Sequence, residues 1–313
     1  MKTLRIDFES RSAVDLRKTG VYPYAESDTT DIWCMAYAFD DEPVDILTFQ
    51  PNGAHLVHGR SAQTDVIFNY VAGGGAIHAW NANFEMALWE NLLVPREGWP
   101  LPKMEQWRCS MAQSLAMSLP GGLDNAASAL GVPIRKDAVG YGRMLRLAKP
   151  RKVTPDGITW WGSPEDIDTL HRYCKNDVEV EREISKRLLP LRPFEQRLWH
   201  IDQEVNRRGV HVDTKLCHAA KKIVKATQEK LDKKMCEVTD WEVRSCSAVG
   251  QLTAFCRAHG VDADSVAKDQ IDTLLARDDL PDDVRAALEL RKLGSRASVA
   301  KIDALLVGMS RDG

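Results

Sequence analysis

At 313 residues the chain has room for two domains of ~150 residues each, and its 44% hydrophobic and 28% charged content is that of an ordinary globular protein. The net charge of −3 gives no global signal for a nucleic-acid partner, and it leaves local patches open. Seven scattered cysteines without a CxxC pair argue against a zinc site and for reduced thiols in a cytoplasmic protein, and no apolar run approaches the ~18 residues of a membrane span.

In chain order, "KTLRIDFES" alternates Leu4, Ile6 and Phe8 with Arg5, Asp7 and Glu9, a strand pattern. "DIWCMAYAFDDEPVDILTF" reads as two strands around a turn at Asp40–Pro43. A helix is predicted from Ser61 to the glycines after Ala72, then a short buried strand "AIHAW", then a helix "NANFEMALWENLLV" stopped before Pro95. "EQWRCSMAQSLAMSLPGG" is a strand running into a helix and "LDNAASALGV" is a further helix, while 131–162 looks loop-rich. "SPEDIDTLHRYCKNDVEVEREISKRLLP" is a strong helix, with Ser163 as N-cap, Pro164 at the first position and acids in the first turn. Strands first, then alternating helix and strand, predict an α/β domain with a mixed sheet over residues 1–190.

From about Arg192 the pattern is nearly all helical. Helices are expected over "PFEQRLWHIDQEVNRRG", "DTKLCHAAKKIVKATQEKLDKKMCEV", "SAVGQLTAFCRAHG", "VAKDQIDTLLARDD" and "DDVRAALELRKLGSRASVAKIDALLVGM". The domain boundary is placed near Pro190–Pro193, leaving 191–313 as the second domain.

Several acids sit where burial is expected. Asp7 and Glu9 are two apart on a strand and share a face, a pattern that a solvated edge also produces. On the helix after Ser163, Asp177 falls within the apolar stripe of Ile167, Leu170, Cys174, Val178, Ile184 and Leu188, with Tyr173 one turn before it. A buried carboxylate costs several kcal/mol unless paired; a metal ion, backbone amides or a distant arginine could satisfy it. Glu85, one turn after Asn81, lies among Phe84, Met86, Ala87 and Leu88.

Taken in order, "DFE" at 7–9, "NANFE" at 81–85 and "YCKND" at 173–177 resemble the three motifs of the DEDD exonuclease superfamily, tyrosine subtype. The resemblance implies a ribonuclease-H-like fold and hydrolysis of DNA from single-stranded 3′ ends. It further implies two Mg²⁺ (or Mn²⁺) ions about 4 Å apart at the scissile phosphate. Asp7 would bridge both ions, Glu9 and Asp177 complete the first site, Glu85 support the second, and Tyr173 with Glu9 orient the attacking water. Ser10 and Asn81 would touch substrate or support the ligands, and Phe8 would pack in the core. The family usually carries Asp in the second motif; here Glu85 reaches one methylene further.

The helical part resembles the start of the polymerase region of phage-type family A (polymerase I-like) DNA polymerases. The carrying segments are "LWHIDQEVNRRGVHVD", "SCSAVGQL" and "LELRKLGSRASVAKIDAL". This implies a thumb-like domain in which Arg291, Lys292, Ser295, Arg296, Ser298 and Lys301 contact the duplex backbone. Lys215–Lys234 holds seven lysines against two acids, a phosphate-tracking surface or a solvated face. No palm or fingers motif follows "MSRDG". The expectation is a proofreading exonuclease that does not polymerise by itself, truncated or split from a separate palm-and-fingers chain, working in the cytoplasm of an infected host. A non-catalytic DNA-binding subunit and a ribonuclease of the same superfamily are the alternatives.

Overall fold

The structure, a computed structural model, describes residues 2–49, 61–135, 137–294 and 299–312. The described residues divide into two compact units, one within 2–210 together with 310–312, the other within 211–309.

The first unit is built on β1 (Thr3–Arg11). Two short helices, α1 (Leu16–Thr19) and α2 (Val21–Glu26), lead to β2 (Asp31–Phe39), which pairs antiparallel with β1. β3 (Asp45–Thr48) pairs antiparallel with β2 beyond a turn where Asp40 adopts φ 48°. Helix α3 (Ala62–Ala72) opens on a capping box in which Ser61 accepts from the Thr64 amide, and it crosses back to β4 (Ala76–Ala79), parallel to β1. Then come α4 (Asn83–Leu88), a π-helical turn at Trp89–Leu93, α5 (Val94–Glu97), and β5 (Trp107–Cys109), which pairs parallel with β4 and runs into α6 (Ser110–Ala116). The five-stranded mixed sheet has the order β3-β2-β1-β4-β5. Helices α7 (Leu123–Ala129) and α8 (Ala138–Leu147), the hairpin β6 (Pro150–Thr154)–β7 (Gly157–Trp160), α9 (Pro164–Ser185) and α10 (Pro193–Arg208) complete it.

Alternation along β1 separates two environments. Leu4, Ile6 and Phe8 enter a large apolar core with Met35, Tyr37 and Phe39 of β2 and the helical segment after β4. Its centre is Trp89, fully buried, with Phe8, Trp99 and Trp107 edge-on at 6.3, 5.1 and 6.1 Å between ring centroids. Such pairs each contribute about 0.5–1.5 kcal/mol beyond area burial. On the opposite face Trp33, Cys34, Ala36 and Ala38 of β2 pack with Leu147 of α8 and Leu170, Cys174 and Val178 of α9.

Three expectations about the layout of the first unit are corrected. Residues 131–162 hold α8 and the β6–β7 hairpin rather than loop, because Asp137 caps α8 by accepting from the Val139 amide and the strands pair around a turn at Pro155–Asp156. The helix after β4 runs through Pro95 to Glu97. In the π turn the Val94 N–H reaches back to the Trp89 carbonyl, five residues earlier, and this wider turn accommodates a proline ring that an α-helix would jam against the carbonyl four residues back. The first unit extends past 190 to Val210, because α10 packs into it: Trp199 lies against the core, His200 contacts the Trp107 carbonyl at 3.1 Å, and Arg207 pairs with Glu90 at 2.8 Å.

Among its described residues the second unit is helical: α11 (Thr214–Val238), α12 (Val249–Ala258), α13 (Lys268–Leu275), α14 (Asp282–Gly294) and α15 (Ala300–Val307). Met235, Val243, Leu252, Phe255, Ile271, Val284 and Leu288 make its core. Where one helix was expected over 282–309, two are described, on either side of 295–298. No helix among the described residues is long and apolar enough to cross a membrane, and all seven cysteines are free and buried.

Candidate active site

Asp7 and Glu9 lie on the α9-facing side of β1, opposite Ala36 and Cys34 of β2. A carboxylate oxygen of each and the Cys174 sulfur all fall within 4.8 Å of one another. The phase of α9 over the strand is set by a clamp. Arg5 donates to both carboxylate oxygens of Glu181 at 2.9 and 2.8 Å, and the Ser110 hydroxyl donates to the same carboxylate. Glu181 is one turn beyond Asp177 and two beyond Tyr173, so fixing it brings all three onto the strand.

Tyr173 is 1% exposed and lies one turn before Asp177 on α9. Burial first, then the charges of Asp177, Glu9 and Asp7, push its pKa far up, so the phenol stays protonated and acts as a donor. Close packing places it: a Cβ on Gly140 of α8 would stand 2.7 Å from the Tyr173 Cβ and Cδ2. Glycine is needed there for the approach of the two helices.

Glu85 comes from α4, the helix after β4. It is 2% exposed, and its Oε2 is buried without a hydrogen-bond partner. Burial, then the charge of Asp7, raise its pKa well above the usual carboxylate value. Asn81 does not share its helical face, as expected from the spacing. Asn81 is exposed and left-handed at φ 61°, turning the chain between β4 and the start of α4 at Asn83. The Ser10 hydroxyl is 2.8 Å from that of Tyr24, whose pKa burial pushes up to about 12. Phe8 is in the core, as expected.

Two residues escaped the sequence reading. Cys174 counted only as part of the apolar stripe, yet its thiol lies 3.3 Å from the Asp7 carbonyl and 3.4 Å from Oδ2 of Asp7. Burial, then its contact with Cys34, hold that thiol well above its usual pKa, so it is a neutral donor that orients Asp7. Asn83, adjacent to the motif, donates to Tyr22 Oη at 3.0 Å and to Gln203 Oε1 at 2.9 Å, tying α4 to α10.

In the second unit the expected DNA contacts divide. Arg291 donates to the Cys246 carbonyl at 2.8 Å and Lys292 pairs with Asp272 at 2.7 Å, while Lys301 is exposed. Ser295, Arg296 and Ser298 lie outside the described residues.

The oxygen-rich donor set suits a hard divalent cation such as Mg²⁺ or Mn²⁺. The partnerless buried Oε2 of Glu85, beside the charge of Asp7, is the deficit that a cation would offset.

Fold and site together define a mixed α/β unit whose central strand carries two neighbouring carboxylates, Asp7 half-buried and Glu9 buried, followed by a helical unit. No protein-family model matches the chain. Over 311 residues it is 33% identical to the DNA polymerase of Bacillus phage SP02, an alignment covering 96% of this chain and 45% of that protein. The chain therefore spans less than half the length of this relative. A solved structure of the family B DNA polymerase from the hyperthermophilic archaeon Pyrobaculum calidifontis matches over 60% of this chain and 24% of that one, with a TM-score of 0.38 and 15% identity.

Proposed function

We propose that the first unit is a 3′–5′ exonuclease of the DEDD type with a ribonuclease-H-like sheet, the proofreading part of a phage polymerase I-like (family A) DNA polymerase. The observation that carries the reading is the pair of carboxylates on β1, Asp7 and Glu9, with an oxygen of each within 4.8 Å of the other and of the Cys174 sulfur, and with Glu85 and Tyr173 close enough to feel the Asp7 charge. The likeness to a phage DNA polymerase supports it.

Asp7, Glu9 and Asp177, with Glu85, would hold two Mg²⁺ or Mn²⁺ ions. Bound there, such ions supply Lewis-acid stabilisation for phosphodiester hydrolysis. The Tyr173 phenol, kept protonated, donates toward the carboxylates and with Glu9 orients water for in-line attack. Cys174 holds the Asp7 carboxylate, and the Arg5–Glu181 clamp holds α9 at the distance this needs. The helical unit would serve as the thumb-like region, with Arg291, Lys292, Ser295, Arg296, Ser298 and Lys301 as its candidate contacts to duplex DNA.

The test is digestion of 3′-labelled single-stranded DNA. Mg²⁺-dependent loss of 3′ nucleotides, abolished by EDTA and by Asp7→Ala, is expected. Equal loss in Asp7→Ala rejects the reading. Glu85→Asp should keep activity and Glu85→Gln should lose most of it.

A further inference from the structure

Residues 143–152, "RMLRLAKPRK", carry five basic side chains and no acid in a chain of net charge −3. They run from the second half of α8 into β6, a stretch with no role in the site described above. We propose that this arm, α8 with the β6–β7 hairpin, is a binding surface for the phosphates of single-stranded DNA leading to the carboxylate cluster. Its place in catalysis rests on the exonuclease reading; its DNA binding does not.

Three observations carry it. The first is position. The arm is joined to the chain just past the strand that bears Asp7 and Glu9, and to the neighbouring β2: the Ser12 amide donates to the Ala148 carbonyl at 3.1 Å, and the Trp33 indole donates to the Leu147 carbonyl at 3.3 Å. Arg11, two residues beyond Glu9, lies with its guanidinium 4.7 Å from the Trp33 ring and 4.4 Å from that of Trp160 on β7. The hairpin therefore starts where the acid-bearing part of β1 ends, and α8 touches Tyr173 through Gly140.

The second is the supply of positive charge. Arg143 and Arg146 share a single acid, Asp166, at 3.1 and 3.9 Å, so the pair keeps a net positive charge. Lys149, Arg151 and Lys152 are exposed. The third is rigidity. The Trp161 ring has the Arg146 guanidinium at 4.0 Å and that of Arg151 at 5.1 Å, which holds two otherwise mobile cations in place. Tyr141 and Leu145, one turn apart on α8, are also exposed and offer apolar surface to bases. Fixed cations beside exposed aromatic and apolar groups suit a flexible polyanion with stackable bases.

The experiment is fluorescence anisotropy of 5′-labelled oligo(dT) with the full chain in EDTA over a series of salt concentrations. Arg151→Glu/Lys152→Glu is compared with Lys186→Glu/Arg187→Glu at the other end of α9. We expect the arm variant to bind at least tenfold more weakly, with a salt slope shallower by about one to two, and the control to stay within twofold of the unmodified chain. Under Mg²⁺ the arm variant should raise KM for the oligonucleotide while leaving kcat, and hydrolysis of a chromogenic thymidine 5′-monophosphate ester, unchanged. Equal weakening in both variants, no binding by the unmodified chain, or equal binding to polyglutamate would overturn the proposal. Arm-dependent binding without hydrolysis of either substrate would overturn the exonuclease reading and leave the surface standing.

Discussion

Leu4, Ile6 and Phe8 of β1 and their immediate neighbours Arg5, Asp7 and Glu9 are one peptide apart, yet they end in opposite environments. The first three are sealed against Trp89 and the β2 side chains. The other three meet a helix carrying Tyr173, Asp177 and Glu181. One face is a close-packed solid in which every methylene counts. The other gathers like charges that repel one another. One side of this strand is given over to packing and the other to charge, so on the proposed function substitutions on the two faces should fail in different assays.

The largest difference is expected between Asp7→Ala and Trp89→Ala. Asp7→Ala should lower exonuclease turnover by on the order of a thousandfold, about 4 kcal/mol of barrier, with a melting temperature unchanged or raised. Trp89→Ala should lower stability by about 3–5 kcal/mol in chemical denaturation, with any activity loss tracking the unfolded fraction. If Asp7→Ala proves as destabilising as Trp89→Ala, the two faces are not distinct in this way.

Next is acid lability. Burial lowers the His78 pKa to about 4; this residue pairs with Arg5 in the β1–β4 register, on the polar side. A folded pKa below the unfolded value means that the unfolded chain binds the proton first, so stability falls as pH drops from about 6.5 toward 4. His78→Gln should remove about 2–3 kcal/mol of that loss between pH 7 and pH 4. Superimposable stability–pH curves for the two proteins would disprove the assignment.

A smaller effect sharpens the role of Tyr173. Gly140→Ala should reduce turnover roughly tenfold by displacing the phenol, but less than twofold further in a Tyr173→Phe background. Additive losses would make Gly140 a packing residue only. The smallest expected change has the opposite sign. The folded pKa of Glu85 is raised, so its contribution to stability declines as pH rises above its ordinary value of 4.5. Glu85→Gln should therefore melt about 2–4 °C higher in EDTA at pH 8 and gain less from added Mg²⁺. Identical melting and identical Mg²⁺ response would contradict a cation-satisfied Glu85.

Much of this was legible in the amino-acid order. Alternation identified β1, the Ser163–Pro164 cap identified α9, and the acid at position 177 of an apolar stripe stood out because burial of charge is costly. The β6–β7 hairpin was not recognised, although Pro155-Asp156-Gly157 between "RKVT" and "ITWW" is a turn signal; the density of Lys, Pro and Trp obscured it. Helix α10 read as the start of the helical region because its pattern is helical. That it docks on the first unit through Asn83, Glu90 and Trp107 depends on long-range contacts that no local pattern encodes. Cys174 was hidden for the same reason: a thiol in an apolar stripe looks like core until the strand opposite it is known.

The π turn at Trp89–Leu93 has a further consequence. One surplus residue in a turn resets the angular phase of whatever follows by about 100°. Glu85, upstream, and the Val94–Glu97 segment, downstream, can therefore be oriented independently although they belong to one continuous rod. Deleting a single residue within the turn would leave Glu85 aimed as before and rotate the downstream turn by that angle. The turn works as a phase joint, letting Glu85 be aimed toward Asp7 and Pro95 be carried along without either dictating where the other points.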